Sequence, residues 1–462
     1  MTTDLTRGPV LSGLIKLALP IFGSGFASLA YGMASIFWLG WMGGKTHPEL
    51  GSQAQSAVGT ACFYTWLGFC LVTMMRIGAN VGVAQSIGAR EPERAARIGV
   101  AAMQLGTIFA LLFSLIIIVF ARPLIGFFKL DPATAALAVS FQQWVGITII
   151  FQYLTAIWTE IYNGCGNSRT PFWFNLTGFV FNIVLDPFLI LGWGPFPELG
   201  VTGAAIATIL AQVLVFILFA WYWRRRPLLP LEFRRWPGIE AFREVVRLGF
   251  PVAAQNTLFC CFAIALGRII AGIDETAIGV QRIGAQIEGL SWMTGQSFMV
   301  ALGSFTGQNL GAGQWSRIRK GWLEAMLAMG ALGICTSLLL IFEGNHIFAL
   351  FSHDPRSLAE GTVYMRILGF SQFFMCIELI CAGAFNGLGR ASIPAAVSII
   401  FTGARIPAAL WLSGTATGLG ISGVWWAISG SSIVKGIIIG AIASWFIWKI
   451  RKAPDDVMAA AD

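Results

Sequence analysis

Long apolar runs, separated by short charged or Pro/Gly-rich stretches, occupy most of the chain. Twelve can be drawn, near 14–41, 53–76, 96–121, 135–158, 171–193 and 202–223, then 246–270, 278–303, 319–342, 362–383, 393–413 and 420–448. Each is about as long as the roughly 20 residues a helix needs to cross the hydrocarbon of a bilayer. One connection, 224–245, is both long and charged, and it falls near the middle. The pattern predicts an all-α polytopic membrane protein: a six-helix half over 1–223, a linker over 224–245, a second six-helix half over 246–448 and a tail over 449–462.

Composition agrees with this reading. Of 462 residues, 56% are hydrophobic and 11% charged, whereas a soluble globular chain is about a quarter charged. An ordinary soluble enzyme, a disordered chain and a disulfide scaffold are thereby excluded. Residues 1–13 are too short and polar for a cleavable leader, so the first run is expected to stay as a span.

The halves repeat one another. Tyr162-Asn163-Gly164-Cys165-Gly166 recurs as Phe385-Asn386-Gly387-Leu388-Gly389, at an offset of 223 residues. The same offset joins Gln85-Ser86-Ile87-Gly88-Ala89 to Gln308-Asn309-Leu310-Gly311-Ala312, and Asp131-Pro132 to Asp354-Pro355. Gly200-Val201-Thr202-Gly203 matches Gly420-Ile421-Ser422-Gly423 after a small gap. An even number of helices per repeat inserts both halves the same way up, so their pseudo-two-fold axis is expected along the membrane normal, as in transporters built from parallel repeats.

The net charge of +8 does not point to nucleic acid, because the basic residues sit in short loops between apolar runs. Most Lys and Arg fall on the side of the N-terminus, whereas Lys45, Arg122, Lys129 and Arg356 fall opposite. The positive-inside rule then places both termini in the cytoplasm. The eight cysteines lie in or beside apolar runs without metal-ligand spacing, and read as small core residues. His47, His346 and His353 lie in or beside loops, away from any cysteine cluster, so no zinc site is expected. Gly303-Ser304-Phe305-Thr306-Gly307 lacks the Lys-Ser/Thr ending of a phosphate-binding loop and is read as a place of close helix contact.

Five segments, in order on the doubled plan, make a family resemblance visible. They are Leu17-Ala18-Leu19-Pro20, Asn182-Ile183-Val184-Leu185-Asp186-Pro187, Leu199-Gly200-Val201-Thr202-Gly203-Ala204-Ala205, Gly307-Gln308-Asn309-Leu310-Gly311-Ala312 and Asn386-Gly387-Leu388-Gly389-Arg390. With them the chain resembles the multidrug and toxic compound extrusion (MATE) family of cation-coupled antiporters over nearly its whole length. The resemblance implies two six-helix bundles facing each other in a V around a cavity that opens alternately to each side of a bacterial inner membrane. It also implies a monomer without cofactor that exports cationic or amphipathic organic compounds, driven by inward H⁺ or Na⁺. The resemblance is closer to the DinF-like branch, but Ser35 stands where that branch has a first-span aspartate, and the seventh span lacks the glutamate of the NorM-like branch.

Ionisable side chains inside hydrocarbon are costly, so each one inside a span needs a reason. Asp186 lies within the fifth span with Asn182 one turn earlier on the same face. Pro187 frees the carbonyl of Ile183. Carboxylate, amide oxygen and freed carbonyl are suitable donors for a proton or small hard cation, and the resemblance assigns the Asn/Asp pair to the cation site. Glu288 and Glu378 in the second half are further candidates, with Gln281 at helical spacing from Glu288; Arg405, Ser35 and Gln281 are candidates for the substrate cavity or as charge partners. Arg405 occupies the repeat position of Asn182 and is expected to neutralise Glu378 or Glu288 until cation or substrate intervenes. Glu160 reads as a hydrated helix terminus, Arg76 as a snorkelling side chain, and Lys435 has no assigned partner. Trp38, Trp158, Trp292 and Phe298 are aromatic candidates for stacking on flat cations. The alternative function is a flippase for a lipid-linked sugar on a related fold, which would need a cavity rich in Arg and Lys; deep basic residues are few here.

Overall fold

The computed structural model describes residues 4–42, 48–128, 130–233, 235–273, 275–351, 354–414 and 417–449. His47, His353 and the expected tail beyond Lys449 lie outside the described residues. The described residues form fifteen helices and no strand. These are α1 (Val10–Gly40), α2 (Pro48–Gly88), α3 (Pro92–Val119), α4 (Ala121–Gly126), α5 (Pro132–Gly164), α6 (Arg169–Ile190), α7 (Gly200–Arg225) and α8 (Ile239–Ile273). They continue as α9 (Glu275–Gly311), α10 (Trp315–Phe342), α11 (Gly344–Ala349), α12 (Pro355–Gly387), α13 (Ser392–Gly403), α14 (Arg405–Leu412) and α15 (Ile421–Lys449).

Eleven described segments are long and apolar enough to cross a membrane. The twelfth long helix, α9, carries Gln281, Gln286, Glu288 and Gln296 and is correspondingly less apolar. Two details differ from the run-by-run expectation. Short helices α4 and α11 follow α3 and α10, and the eleventh apolar run is broken between α13 and α14 at Ala404. Proline at 407 has no N–H to offer the carbonyl of Gly403 and its ring collides with it, which ends α13 there.

The chain forms two compact units. The first runs mainly over 19–83 and 91–249; within it α5 packs against α3 and α7, and α7 against α6. The stretch between α7 and α8 belongs to this unit: Leu229 and Leu231 are buried, and the Phe233 ring meets Trp158 edge-on at 6.0 Å. The second unit runs mainly over 250–449, joined by residues 4–18 and 84–90. Its centre is α12, packed against α9, α10 and α15. Buried Met365 and Leu368 of α12 share that core with Phe348, Val424 and Trp425.

The repeated motifs turn out to be helix-terminating and helix-crossing devices. Asp131 caps α5 by accepting from the N–H groups of Ala133 (3.1 Å) and Thr134 (3.0 Å), with Pro132 in the first helical turn, where its missing donor costs nothing. Asp354 does the same for α12 through Ser357 N–H (2.8 Å). At the other end of α5, Asn167 N–H reaches back to Tyr162 O and Gly166 N–H to Asn163 O, both 2.9 Å; Arg390 and Gly389 repeat both bonds on Phe385 and Asn386. This double bond pattern needs a left-handed residue, supplied by Gly166 (φ +78°) and Gly389 (φ +71°). The same closure ends α9 with Gly313 (φ +68°), whereas its repeat partner at the end of α2 is Arg90 (φ +62°).

Small residues set the closest crossings. Within the second unit a Cβ on Gly88 would collide with the carbonyl of Gln308, and one on Gly311 with the carbonyl of Gln85, so the two copies of this motif touch reciprocally. Gly387 meets the carbonyl of Gly303 in the same way, which is the close helix contact expected of the 303–307 stretch.

Two stability predictions follow from the caps. A side chain with a Cβ pays roughly 1 kcal/mol in the left-handed region, so Arg90→Gly should raise the thermal midpoint by about that energy and Gly313→Arg should lower it. The Asp131 carboxylate is held below its ordinary value of 3.8 by the Thr134 hydroxyl and backbone donors, and Asp354 by Ser357. A depressed folded value contributes stability above pH 3.8 that is lost as pH falls through the folded value. Asp131→Ala and Asp354→Ala should therefore lower the midpoint at neutral pH, with the difference from wild type shrinking in strong acid.

Candidate functional site

In the first unit, α1 and α6 bring Ser35 to Asp186. Pro187 lies inside α6, and Asn182 and Asp186 share one face, both 0% exposed. Ser35 Oγ donates to Asp186 Oδ2 at 2.6 Å. Asp186 Oδ1 has no hydrogen-bond partner, and neither do Asn182 Oδ1 and Nδ2. Among the described residues no Lys, Arg or His forms an ion pair with Asp186. Beside it, a narrow cavity of about 10 Å³, on the scale of one water molecule, is lined by Tyr31, Asn175, Asn182, Thr208 and Gln212. The Tyr31 and Thr208 hydroxyls sit 3.0 Å apart there, and the Tyr31 ring stacks on Phe179 at 5.6 Å.

Buried polar atoms are normally paired, so an unpaired carboxylate oxygen beside an amide with neither its oxygen nor its NH₂ bonded makes this a candidate site for a guest. A proton on Asp186 would become a donor; a small hard cation would take oxygens from Asp186 and Asn182. Ser35, read from the sequence as standing where an aspartate is found in one branch and as a candidate for the substrate cavity or a charge partner, is a direct neighbour of the acid. Tyr31 was within reach of sequence reasoning, since it lies one turn before Ser35 on the same face of α1. Thr208 was not, because nothing in local spacing brings α7 to α1.

The second unit holds a different set. Glu288 of α9 accepts from Gln372 Nε2 of α12 (3.2 Å), while Gln281, two turns away on its own helix, is not among its partners. Glu378 is ion-paired to Lys435 of α15, with Nζ 3.0 Å from each carboxylate oxygen, and accepts from Ser398 (3.3 Å). Arg405 does not hold either carboxylate as expected: it donates to Ser431 Oγ (2.6 Å) and Ser432 Oγ (2.8 Å). The buried ammonium of Lys435, unassigned from sequence, takes the role foreseen for Arg405 at Glu378. Its partner lies 57 residues away, on a helix that periodicity cannot place.

Glu160 and Arg76 also require correction. Glu160 is 2% exposed rather than hydrated. Arg76 does not snorkel: its Nη2 lies 2.7 Å from Glu160 Oε1, while Asn80 (3.1 Å) and Asn163 (3.2 Å) donate to Oε2. A carboxylate so fully answered is structural. Trp158 is likewise core, stacked on Phe219 at 5.7 Å, whereas Trp292 is half exposed. No disulfide joins any of the eight cysteines.

Removing one partner of a buried ion pair leaves a stranded charge, at a cost of about 3–5 kcal/mol. Lys435→Ala should therefore strongly lower the thermal midpoint, and Lys435→Met combined with Glu378→Gln should recover most of the loss. Unfolding of the single and double variants in detergent measures the coupling.

Comparison with known proteins puts this architecture in a family. The MatE family model matches residues 20–188 and 251–411. The probable multidrug resistance protein NorM of Thermotoga maritima is 29% identical over 414 residues, covering 86% of this chain and 84% of that protein. An FAD transporter of Shewanella oneidensis is 23% identical over 403 residues, covering 84% of each. Among solved structures, an outward-facing multidrug resistance MATE family transporter of the MOP superfamily superposes with a TM-score of 0.87 at 20% identity, over 98% of this chain and all of that one. A MOP superfamily transporter from Pyrococcus furiosus gives 0.88 at the same identity and coverage. The fold is therefore the all-helical one of these transporters, and with the family model matching well over half its length the chain belongs to the MATE family, whose members are membrane transporters and not enzymes.

Proposed function

We propose that the protein is a secondary active antiporter that exports cationic or amphipathic organic compounds in exchange for H⁺ or Na⁺ by alternating access. The observation that carries this reading is the carboxylate of Asp186: buried, without a cationic partner, and flanked by the unpaired amide of Asn182. A charge left in that position is costly unless a proton or cation resides there for part of a cycle. The names of relatives such as the multidrug resistance protein NorM of Burkholderia vietnamiensis support drug-like organic substrates.

In this scheme the coupling ion loads on Asp186 and Asn182, with Ser35 fixing one carboxylate oxygen so that the other faces the ion. Loading one conformation in preference to the other shifts the balance between them, and substrate leaves as the ion arrives; coupling needs only that difference in affinity. Glu288, which accepts from the Gln372 amide and has Arg405 and Lys435 as cationic neighbours, is a second loading group, while Glu378 is ion-paired to Lys435. Arg405, held by two serines, remains available as a charge partner for substrate. A lipid-linked pyrophosphate carrier would need several free basic groups, and the commitment of Lys435 to Glu378 weighs against that alternative. The two halves over 1–223 and 246–448 act as the moving bodies, in a bacterial inner membrane with both termini cytoplasmic.

Efflux from proteoliposomes under an imposed pH gradient or an imposed Na⁺ gradient tests the scheme and identifies the ion. Asp186→Asn should reduce ion-driven efflux at least about tenfold, an interaction loss of order 1.4 kcal/mol or more, with the thermal midpoint preserved. Efflux at the wild-type rate from that variant would remove Asp186 from the coupling role.

A further inference from the structure

The first unit carries a second cavity unrelated to Asp186, at the arginine-rich ends of its helices. An apolar groove of about 790 Å³ runs between α3, α5 and α7, walled by Ile108, Leu154, Trp158 and Phe216, and closed by Trp236 and Ile239 from the start of α8 and the stretch before it. Its volume lies within the roughly 300–1,000 Å³ of ligand pockets. The wall is pre-formed. Gln104 Nε2 donates to Phe233 O at 3.1 Å, and Trp236 packs on Phe242 at 5.0 Å. Trp236 and Ile239 are nonetheless 68% and 71% exposed, large apolar groups placed where a membrane meets water.

At Trp236 the groove adjoins a polar cleft of about 430 Å³ lined by Glu93, Arg97, Glu232 and Arg235. The cleft is charge-balanced, and its four charges are not equally committed. Arg235 lies 3.7 Å from Glu232. The neighbouring Arg94 is claimed by Glu91 (3.3 Å) and Glu244 (3.0 Å). Arg97 and Glu93, one helical turn apart on α3, have no ion-pair partner among the described residues and do not pair with each other.

We propose that groove and cleft together bind a phospholipid whose head group carries both a phosphate and a primary ammonium, of the phosphatidylethanolamine class. The acyl chain fills the apolar groove, the phosphate takes Arg97, and the ammonium takes Glu93. The charge pattern selects this head group. Phosphatidylglycerol would satisfy Arg97 with its one phosphate but brings no cation to Glu93, and a quaternary ammonium has no N–H to donate to a carboxylate. A guanidinium binds phosphate through paired N–H donors, which gives Arg97 the larger share of the affinity.

The test uses the purified full-length protein, incubated with equimolar dioleoyl phosphatidylethanolamine and dioleoyl phosphatidylglycerol and examined by native mass spectrometry. Wild type should retain the ethanolamine lipid about threefold or more over the glycerol lipid, the scale of one partly exposed charge contact. Arg97→Ala should lower retention of both lipids, and Arg97→Lys should restore part of it. Glu93→Gln should erase the preference while leaving total retention near wild type. Leu154→Trp, which fills the groove, should lower retention whatever the head group. Both charged positions are exposed, so unchanged thermal midpoints are expected for their variants. Equal retention of the two lipids by wild type, or a preference that survives Glu93→Gln, overturns the proposal.

Discussion

One unanswered charge organises the first unit. Asp186 is sealed between α1 and α6 with a single hydroxyl bonded to one oxygen and nothing bonded to the other. Elsewhere the chain resolves the same problem differently: Glu160 has an arginine and two amides, and Glu378 has a lysine and a hydroxyl. Three carboxylates of one protein thus meet the desolvation cost in different degrees, and a small cavity lined by Asn182 lies near the least compensated of them. That contrast separates carboxylates whose charge is answered by neighbouring helices from one left without a cationic partner among the described residues.

The second unit balances its charges internally. Two acids and two bases lie on four different helices, with Lys435 taking Glu378 and serines taking Arg405. Glu288 accepts from Gln372 and lies within electrostatic reach of both Arg405 and Lys435, so the four charges act on one another. The duplicated halves therefore share a scaffold without sharing a site: Asn182 and Arg405 occupy equivalent places in sequence but present an amide in one unit and a guanidinium in the other.

That scaffold is held in register by backbone devices more than by side-chain contacts. Aspartate caps open α5 and α12, glycines in the left-handed region close them, and small residues let carbonyls approach where helices cross. These steric and capping demands are the same in both halves, which accounts for motifs that reappear after 223 residues. Arg90, which does the work of a glycine at the end of α2, shows that the device survives even at some conformational cost.

Hydrophobic run length, the charged break near the middle and the repeat offset depend only on neighbours along the chain, and they indicated an all-helical membrane protein without coordinates, but not the short helices α4 and α11 or the break between α13 and α14. Helical spacing likewise placed Asn182 and Asp186 on one face. What spacing could not decide was who meets whom across helices. Lys435 against Glu378, Arg76 against Glu160, Ser35 against Asp186 and the serines against Arg405 are all pairings between segments 26 to 151 residues apart. Partner choice among such residues is set by how helices pack and rotate, a property of the whole unit rather than of any window of sequence. For the same reason the sequence could name the buried acids, while only the tertiary structure distinguished the ones already neutralised from the one left waiting.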